Sequence, residues 1–456
     1  MKNYSSFIEN DTTASSISSS AFSTMGSALD ERRPLLTNET EDSSIYNNSV
    51  CFEEPSATKT SASINLSNTI LGTGMLAMPA ALASVGLIPG IFIIIYAGCT
   101  SSLGLYFLAR CADRVGGRNA SFSSLSKLTW PKLGIFFDTA IAIKCFGVAI
   151  SYLIILGDLM PQVMLSFFHG AKDVELLMDR RFWISLSIIT AVGPLSWLRK
   201  LDSLKYTSLV ALFAVAYLVA IVVYHYVSPN YPPPPPDAIE YFHWSTKIFG
   251  QLPVFIFAFT CHQNIFSVYN ELKKNDEKSI VQVISTSIGS AAFIYELVAI
   301  LGYLSFGKHV LGNIILEYPQ TAFVAFGRLA IVVLVIFSYP LQTHPCRASI
   351  DKIIDTLKSE SLQQPVISNK RYWIMTSCIV ISTYLVAISI SQLDLVLSFV
   401  GSTGSTTISF ILPGLFYFKM HSEDGYHWKR MVALFLVFYG FLVMSICLTF
   451  NIKRLL

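Results

Sequence analysis

Charge is scarce in this sequence. Asp, Glu, Lys and Arg together make up 13% of 456 residues, about half the roughly 25% of an ordinary soluble domain. A chain of this length cannot cover a water-soluble globule with so little charge, which excludes a cytosolic enzyme. The net charge is only +3 and the basic residues are scattered, so no nucleic-acid partner is expected. Eight cysteines include no CxxC pair, and all but Cys51 fall in or beside apolar stretches. Neither a disulfide framework nor a zinc or other metal site is expected from them. No His-x4-Asp and no His-Glu-x2-His occurs, so no cofactor and no membrane-embedded acyltransferase or protease chemistry is indicated. A basic start followed by an apolar run is also missing, which leaves no cleavable signal peptide.

Long apolar runs are what the chain has instead. Hydrophobic residues are 53% of the sequence and the mean hydropathy is +0.54. Eleven stretches approach the ~20 residues needed per helical span: 61–84, 87–111, 134–160, 181–198, 204–227, 248–268, 281–305, 321–345, 371–391, 394–418 and 429–450. The expectation is an all-α polytopic membrane protein in a lipid bilayer, residues 59–456 forming one transmembrane domain. Residues 1–58 read as a disordered tail: the first 60 residues hold 13 Ser and 9 Asp or Glu, and too few apolar residues for a core. Alternate connections carry 19 Lys or Arg against 5, a bias that puts the N-terminal tail in the cytosol and, with eleven spans, the C-terminus on the far side. The proline run at 232–236 is a stiff spacer on that far side.

The first span contains Asn65-Leu-Ser-Asn68-Thr69, then Gly72-Thr73-Gly74 and Pro79. Two glycines and a proline are poor material for a continuous helix. Irregular backbone at membrane depth is tolerated only where protein or a water-filled cavity covers it. A break there would free amides that attract a carboxylate, while the oxygens of Asn65 and Asn68 suit a cation. The sixth span repeats the oddity with Pro253, then Thr260-Cys261-His262-Gln263-Asn264. Interrupted helices at matching places in two five-helix halves point to a transporter's midplane site. Close packing through small residues is the alternative reading of each break taken alone.

Three motifs in order then resemble the amino acid/auxin permease family: Asn65-Leu-Ser-Asn68-x3-Gly72-x-Gly74-x-Leu76-x2-Pro79; Cys261-His262 followed by Tyr269-Asn270-Glu271-Leu272-Lys273; and Gly401-Ser402-Thr403 with Phe410-Ile-Leu-Pro413-x3-Tyr417-x-Lys419. The wording of the second is most similar to fungal vacuolar amino acid transporters. The resemblance implies a LeuT-like fold, a 5+5 inverted repeat plus one extra helix, with helices 1 and 6 discontinuous. It implies secondary transport of amino acids across a vacuolar (lysosome-like) membrane, proton-coupled rather than sodium-coupled. By the same resemblance Thr69, Gly72, Thr73 and Gly74 seat the substrate's carboxylate and amino groups, and Thr260, Cys261 and His262 form the facing wall. Asn68 and Ser338 match the positions that bind sodium in coupled relatives, with Ser where those relatives carry Thr. A sensor that binds amino acids without flux is the rival reading.

Ionisable residues at membrane depth default to function. Lys144 lies in mid-span three and Glu296 well inside span seven, while Arg328 and His344 sit nearer span ends, where snorkelling is expected. Glu296, His262 and Lys144 are therefore candidates for coupling. Residues 401–407 read equally as a packing seam or a pore lining. In the tail, Glu31 four residues before Leu35-Leu36 resembles an acidic dileucine signal read by a sorting adaptor.

Overall fold

The computed structural model describes residues 57–131, 134–198, 207–243, 245–357, 368–424 and 427–455. All but the last two residues of the expected tail, with the sorting residues Glu31, Leu35 and Leu36, and the Lys or Arg residues Lys132, Arg199, Lys200, Lys205 and Lys358 of the connections, lie outside them. The α-helices are, in order, α1 (Lys59–Ile70), α2 (Gly74–Ala83), α3 (Leu87–Val115), α4 (Phe122–Thr129), α5 (Gly134–Phe167) and α6 (Glu175–Met178). Then come α7 (Arg180–Ser187), α8 (Gly193–Ser196), α9 (Thr207–Val227), α10 (Ile248–Ala258), α11 (Ile265–Glu271) and α12 (Glu277–Phe306). The last are α13 (Ala322–Leu357), α14 (Asn369–Ser389), α15 (Leu393–Val400), α16 (Leu412–Met420) and α17 (Trp428–Leu455).

Local chemistry sets the ends of these elements. Thr58 caps α1 by accepting from Ser61 N, and Ser121 with Ser124 forms a reciprocal capping box on α4, each satisfying otherwise orphaned amides. Gly86 turns the chain into α3 at φ 88°, a region closed to most L-residues. That turn lets Leu87 N and Ile88 N donate to the carbonyls of Glu240 and Tyr241.

Among the described residues nine helices are long and apolar enough to cross a membrane, and α1 with α2 passes together as a tenth. The stretch expected as span 181–198 is helical over 180–196, α7 and α8 being joined by a π-turn at Ile188–Val192. It is somewhat shorter than a perpendicular crossing requires. Large side chains such as Phe92, Phe293 and Phe435 point outward and are two-thirds exposed, as lipid-facing residues are.

Two groups of helices emerge from the packing. α12 lies against α1, α2 and α3, and α10 against α2 and α3. The long α5 makes its most extensive contact with α13 and also packs on α14 and α15. α17 packs on α16 and also reaches α10. Spans one, two, six and seven thus pack together, as do spans three, eight and nine, and α10 of span six also packs on α15.

Arg328 departs from expectation. Its side chain does not snorkel but is fully buried, donating to the carbonyl of Ile315 (3.3 and 3.2 Å) and of Tyr318 (2.6 Å). The loop after α12 folds back over it, and a guanidinium that satisfies several carbonyls at once is tolerable in a low-dielectric place.

Candidate functional site

The helical ladder of the first span stops at Ile70 and resumes at Gly74, and α1 and α2 meet at 59°. In the sixth span the ladder is lost over 259–264 between α10 and α11, replaced by a 3-10 turn at His262–Asn264. That second interruption bends the axis by less than the first, since Ile248–Glu271 still reads as one span. The interruptions face a shared cavity of about 640 Å³, within the range of small-molecule sites.

Asn65, Asn68, Thr69, Gly72, Thr73 and Gly74 line this cavity from the first span, Lys144 from α5, Thr260 from the sixth span and Ser338 from α13. The cavity continues past Ser121, Ser123, Asn270 and Lys352, residues at the Lys/Arg-rich end of the bundle. None of its lining residues comes from the loops at the opposite end. Among the described residues the site therefore opens at one side only.

At the break, Thr69 Oγ1 donates to Asn65 O (3.0 Å) and accepts from Asn264 Nδ2 (3.0 Å). This bond ties the two interrupted spans directly. Tyr295 of α12 ties them again: its hydroxyl lies 2.5 Å from Ile70 O and 3.0 Å from Ala258 O, so one donor serves carbonyls that both breaks release. Ser101 Oγ donates to Phe259 O (2.7 Å). Lys144 Nζ donates to Thr260 O (3.2 Å) and Gln263 Oε1 (2.5 Å). These four carbonyls, of Ile70, Ala258, Phe259 and Thr260, are thus satisfied one by one, as membrane depth demands. The amides of Thr73 and Gly74, at the start of α2, have no acceptor among the described residues. Asn68 Oδ1 is buried with no partner among the described residues. Free amides at a helix N-terminus suit a carboxylate, and a bare amide oxygen suits an ammonium. Together they match a zwitterion.

Two residues expected on the facing wall sit elsewhere. Cys261 and His262 are fully buried and are not among the residues lining the cavity. His262 Nε2–H donates to Ser101 O (3.1 Å), and Nδ1 accepts from Ser409 Oγ (3.1 Å), leaving no ring nitrogen for a ligand. The places they were expected to fill belong to Gln263 and Asn264, which the 3-10 turn rotates inward. Glu296 is not on the cavity wall either, yet both its carboxyl oxygens are buried without a partner among the described residues. Lys144 has no carboxylate within ion-pair distance among the described residues. Residues 401–407 line no part of the cavity. They form a seam: a Cβ at Gly401 would lie 2.0 Å from Pro253 O, and one at Gly404 2.9 Å from Lys144 Cβ.

Comparison with known proteins gives these features a context. Vacuolar amino acid transporter 5 of Schizosaccharomyces pombe is 44% identical over 87% of this chain and 94% of its own length. Vacuolar amino acid transporter 6 of Saccharomyces cerevisiae is 38% identical over 86% of the chain and 98% of its own. Among solved structures, MhsT in complex with L-phenylalanine superposes with a TM-score of 0.53 at 11% identity, covering 85% of this chain and 97% of that one. A manganese transporter of Eremococcus coleocola superposes with a TM-score of 0.54 at 10% identity, covering 86% of each. The fold is LeuT-like, and at such low identity the likeness concerns the fold alone. Residues 55–453 match the family described as transmembrane amino acid transporter protein, and the chain belongs to that family.

Proposed function

We propose that this protein is a secondary transporter that moves amino acids across the vacuolar membrane by alternating access, coupled to protons. The observation that carries the reading is the meeting of two interrupted helices at one cavity, lined by Asn68 and by Thr73 and Gly74, whose amides have no acceptor among the described residues. The substrate carboxylate takes the amides and its ammonium takes the Asn68 and Asn65 oxygens. Thr69, Gly72 and Thr260 shape the remainder of the wall. Names of the similar fungal proteins support the amino acid cargo and the vacuolar membrane.

In this reading eleven spans place the tail, residues 1–58, in the cytosol, with Glu31, Leu35 and Leu36 addressing it to a sorting adaptor, and the C-terminus in the lumen. The open cavity then faces the cytosol. Transport requires the bundle of α1, α2, α3, α10, α11 and α12 to rock against α5, α13 and α14. Glu296 carries the coupling proton, because a carboxyl buried without a partner changes charge at the least structural cost. Lys144 holds the sixth-span break in place, and Ser338 with Asn68 lines the place where sodium-coupled relatives seat their ion.

Reconstituted vesicles supplied with labelled amino acids and an imposed pH gradient test this. Accumulation that follows the gradient is expected. Binding without flux would make the protein a sensor, and flux indifferent to the gradient would remove the proton.

A further inference from the structure

The cavity is sealed at the end away from its mouth, and the seal includes a polar cluster that the substrate site does not use. Gln251 sits on the first turn of α10, two turns from the break. Its Nε2 donates to Asp394 Oδ2 (3.1 Å) on the first turn of α15. The same carboxylate oxygen accepts from Arg454 (2.9 Å) near the end of α17. One turn deeper, Asn451 of α17 is fully buried. Ser398 Oγ donates to Asn451 Oδ1 (2.9 Å) and also lies against Gly250 O of α10.

α10 belongs to the half of the molecule that must move, while α15 and α17 lie outside it. The bond that crosses between them, Gln251 Nε2 to the Asp394 carboxylate, is charge-assisted on a side chain only 14% exposed, and so is stronger than a surface contact and specific in direction. Buried Asn451 has no place on a lipid-facing helix unless its amide is satisfied, and span ten satisfies it through Ser398 and Ser402, which holds Ser398 where it meets Gly250 O of α10. Opening this end must break the two bonds that cross from α10, Gln251 to Asp394 and Ser398 to Gly250 O, while Arg454 and Asn451 hold their α15 partners in place for them.

We infer that the last helix is a working part of the transporter: Arg454 and Asn451, through Asp394 and Ser398, latch α10 shut at the end opposite the cavity mouth. This rests on the alternating-access reading above. The latch residues are positioning residues that touch no substrate. They set how often the far side opens.

The test reads conformation and not flux, so it stands apart from the transport assay. A cysteine is placed at Thr73 on the cavity wall, and labelled with a membrane-impermeant thiol reagent from each side of sealed vesicles, against the parent protein as background. With the latch intact, labelling comes from the mouth side. In D394N, labelling from the opposite side should rise about tenfold, the effect of losing one charge-assisted hydrogen bond to Gln251, and in R454A it should rise in the same direction, because Asp394 is no longer held toward Gln251. R454K should stay near the parent, and the exchanged pair D394R/R454D should fall back toward it. Unchanged opposite-side labelling in both R454A and D394N, with both proteins monodisperse in detergent, would overturn the latch. If either single variant fails to fold, Q251C/D394C joined by a bifunctional thiol reagent decides. Cross-linking should abolish opposite-side labelling and leave mouth-side labelling, and opposite-side labelling that persists after cross-linking would equally overturn it.

Discussion

A methyl group at position 74 should behave very differently from one at position 72, though the two glycines share a single motif. A Cβ on Gly74 would stand 2.9 Å from Ala258 Cβ and 3.0 Å from Ala258 Cα. Carbon atoms prefer ~3.5–4.0 Å, so α2 and α10 must separate by roughly 0.5–1 Å at the point where both interrupted spans meet. Overpacking of that kind costs about 1–3 kcal/mol. A cost of about 2 kcal/mol corresponds to roughly a thirtyfold change in the population of the assembled site. A Cβ on Gly72 meets nothing nearer than Ile70 O at 3.9 Å, and its φ is not in the left-handed region, so no strain arises. The expected outcome is that G74A loses most transport and several degrees of melting temperature in detergent, whereas G72A melts like the parent. G72A should retain flux with a shifted half-saturating concentration, because its methyl enters the cavity. Equal losses in the two variants, in melting and in uptake by vesicles, would refute the argument from close approach.

Other outcomes follow from named contacts. R328L should lower the melting temperature, by an amount corresponding to about 3–5 kcal/mol, because the carbonyls of Ile315 and Tyr318 lose their donor; substrate affinity measured on the folded fraction should not change. E296Q should keep its fold and its binding of labelled amino acid but abolish the response of uptake to a pH gradient. K144M should weaken binding about tenfold or more, since Thr260 O and Gln263 lose a shared charged donor. At the start of α12, outside the span, Ser279 donates to Asp276 (2.5 Å) and holds its carboxyl below the ordinary value. A depressed carboxyl stabilises above its unfolded-state pKa and loses that contribution as pH falls. D276N should therefore melt earlier than the parent at pH 7 and together with it near pH 3.

Much of this molecule was legible in its sequence because membrane depth makes irregularity expensive. Gly72, Gly74 and Pro79 advertise the first interruption, and the cavity sits there. Lys144 stands out as a cation among apolar residues, and its neighbour turns out to be a backbone carbonyl freed by the second interruption. The facing wall was harder. An α-helix turns about 100° per residue, and a 3-10 turn turns more. Once the ladder lapses at 259–264, sequence spacing no longer says which residue points inward. Cys261 and His262 were expected on the wall, and Gln263 and Asn264 stand there. Tyr295 gives no signal of its own, since a tyrosine in an apolar helix reads as core until the carbonyls of Ile70 and Ala258 are seen beside its hydroxyl. Arg328 looked like a snorkelling residue because the fold-back of the loop after α12 leaves no periodic trace. The seam at 401–407 has no distinguishing sequence signal for a related reason: small residues serve packing and pores alike, and only the proximity of Pro253 and Lys144 distinguishes them.

A structure of the protein determined with a bound amino acid would show where the zwitterion is held. Density for the carboxylate is expected within hydrogen-bond distance of the Thr73 and Gly74 amides, with the ammonium toward Asn68. Density for the amino acid anywhere else, with those two amides still lacking an acceptor, would contradict that placement.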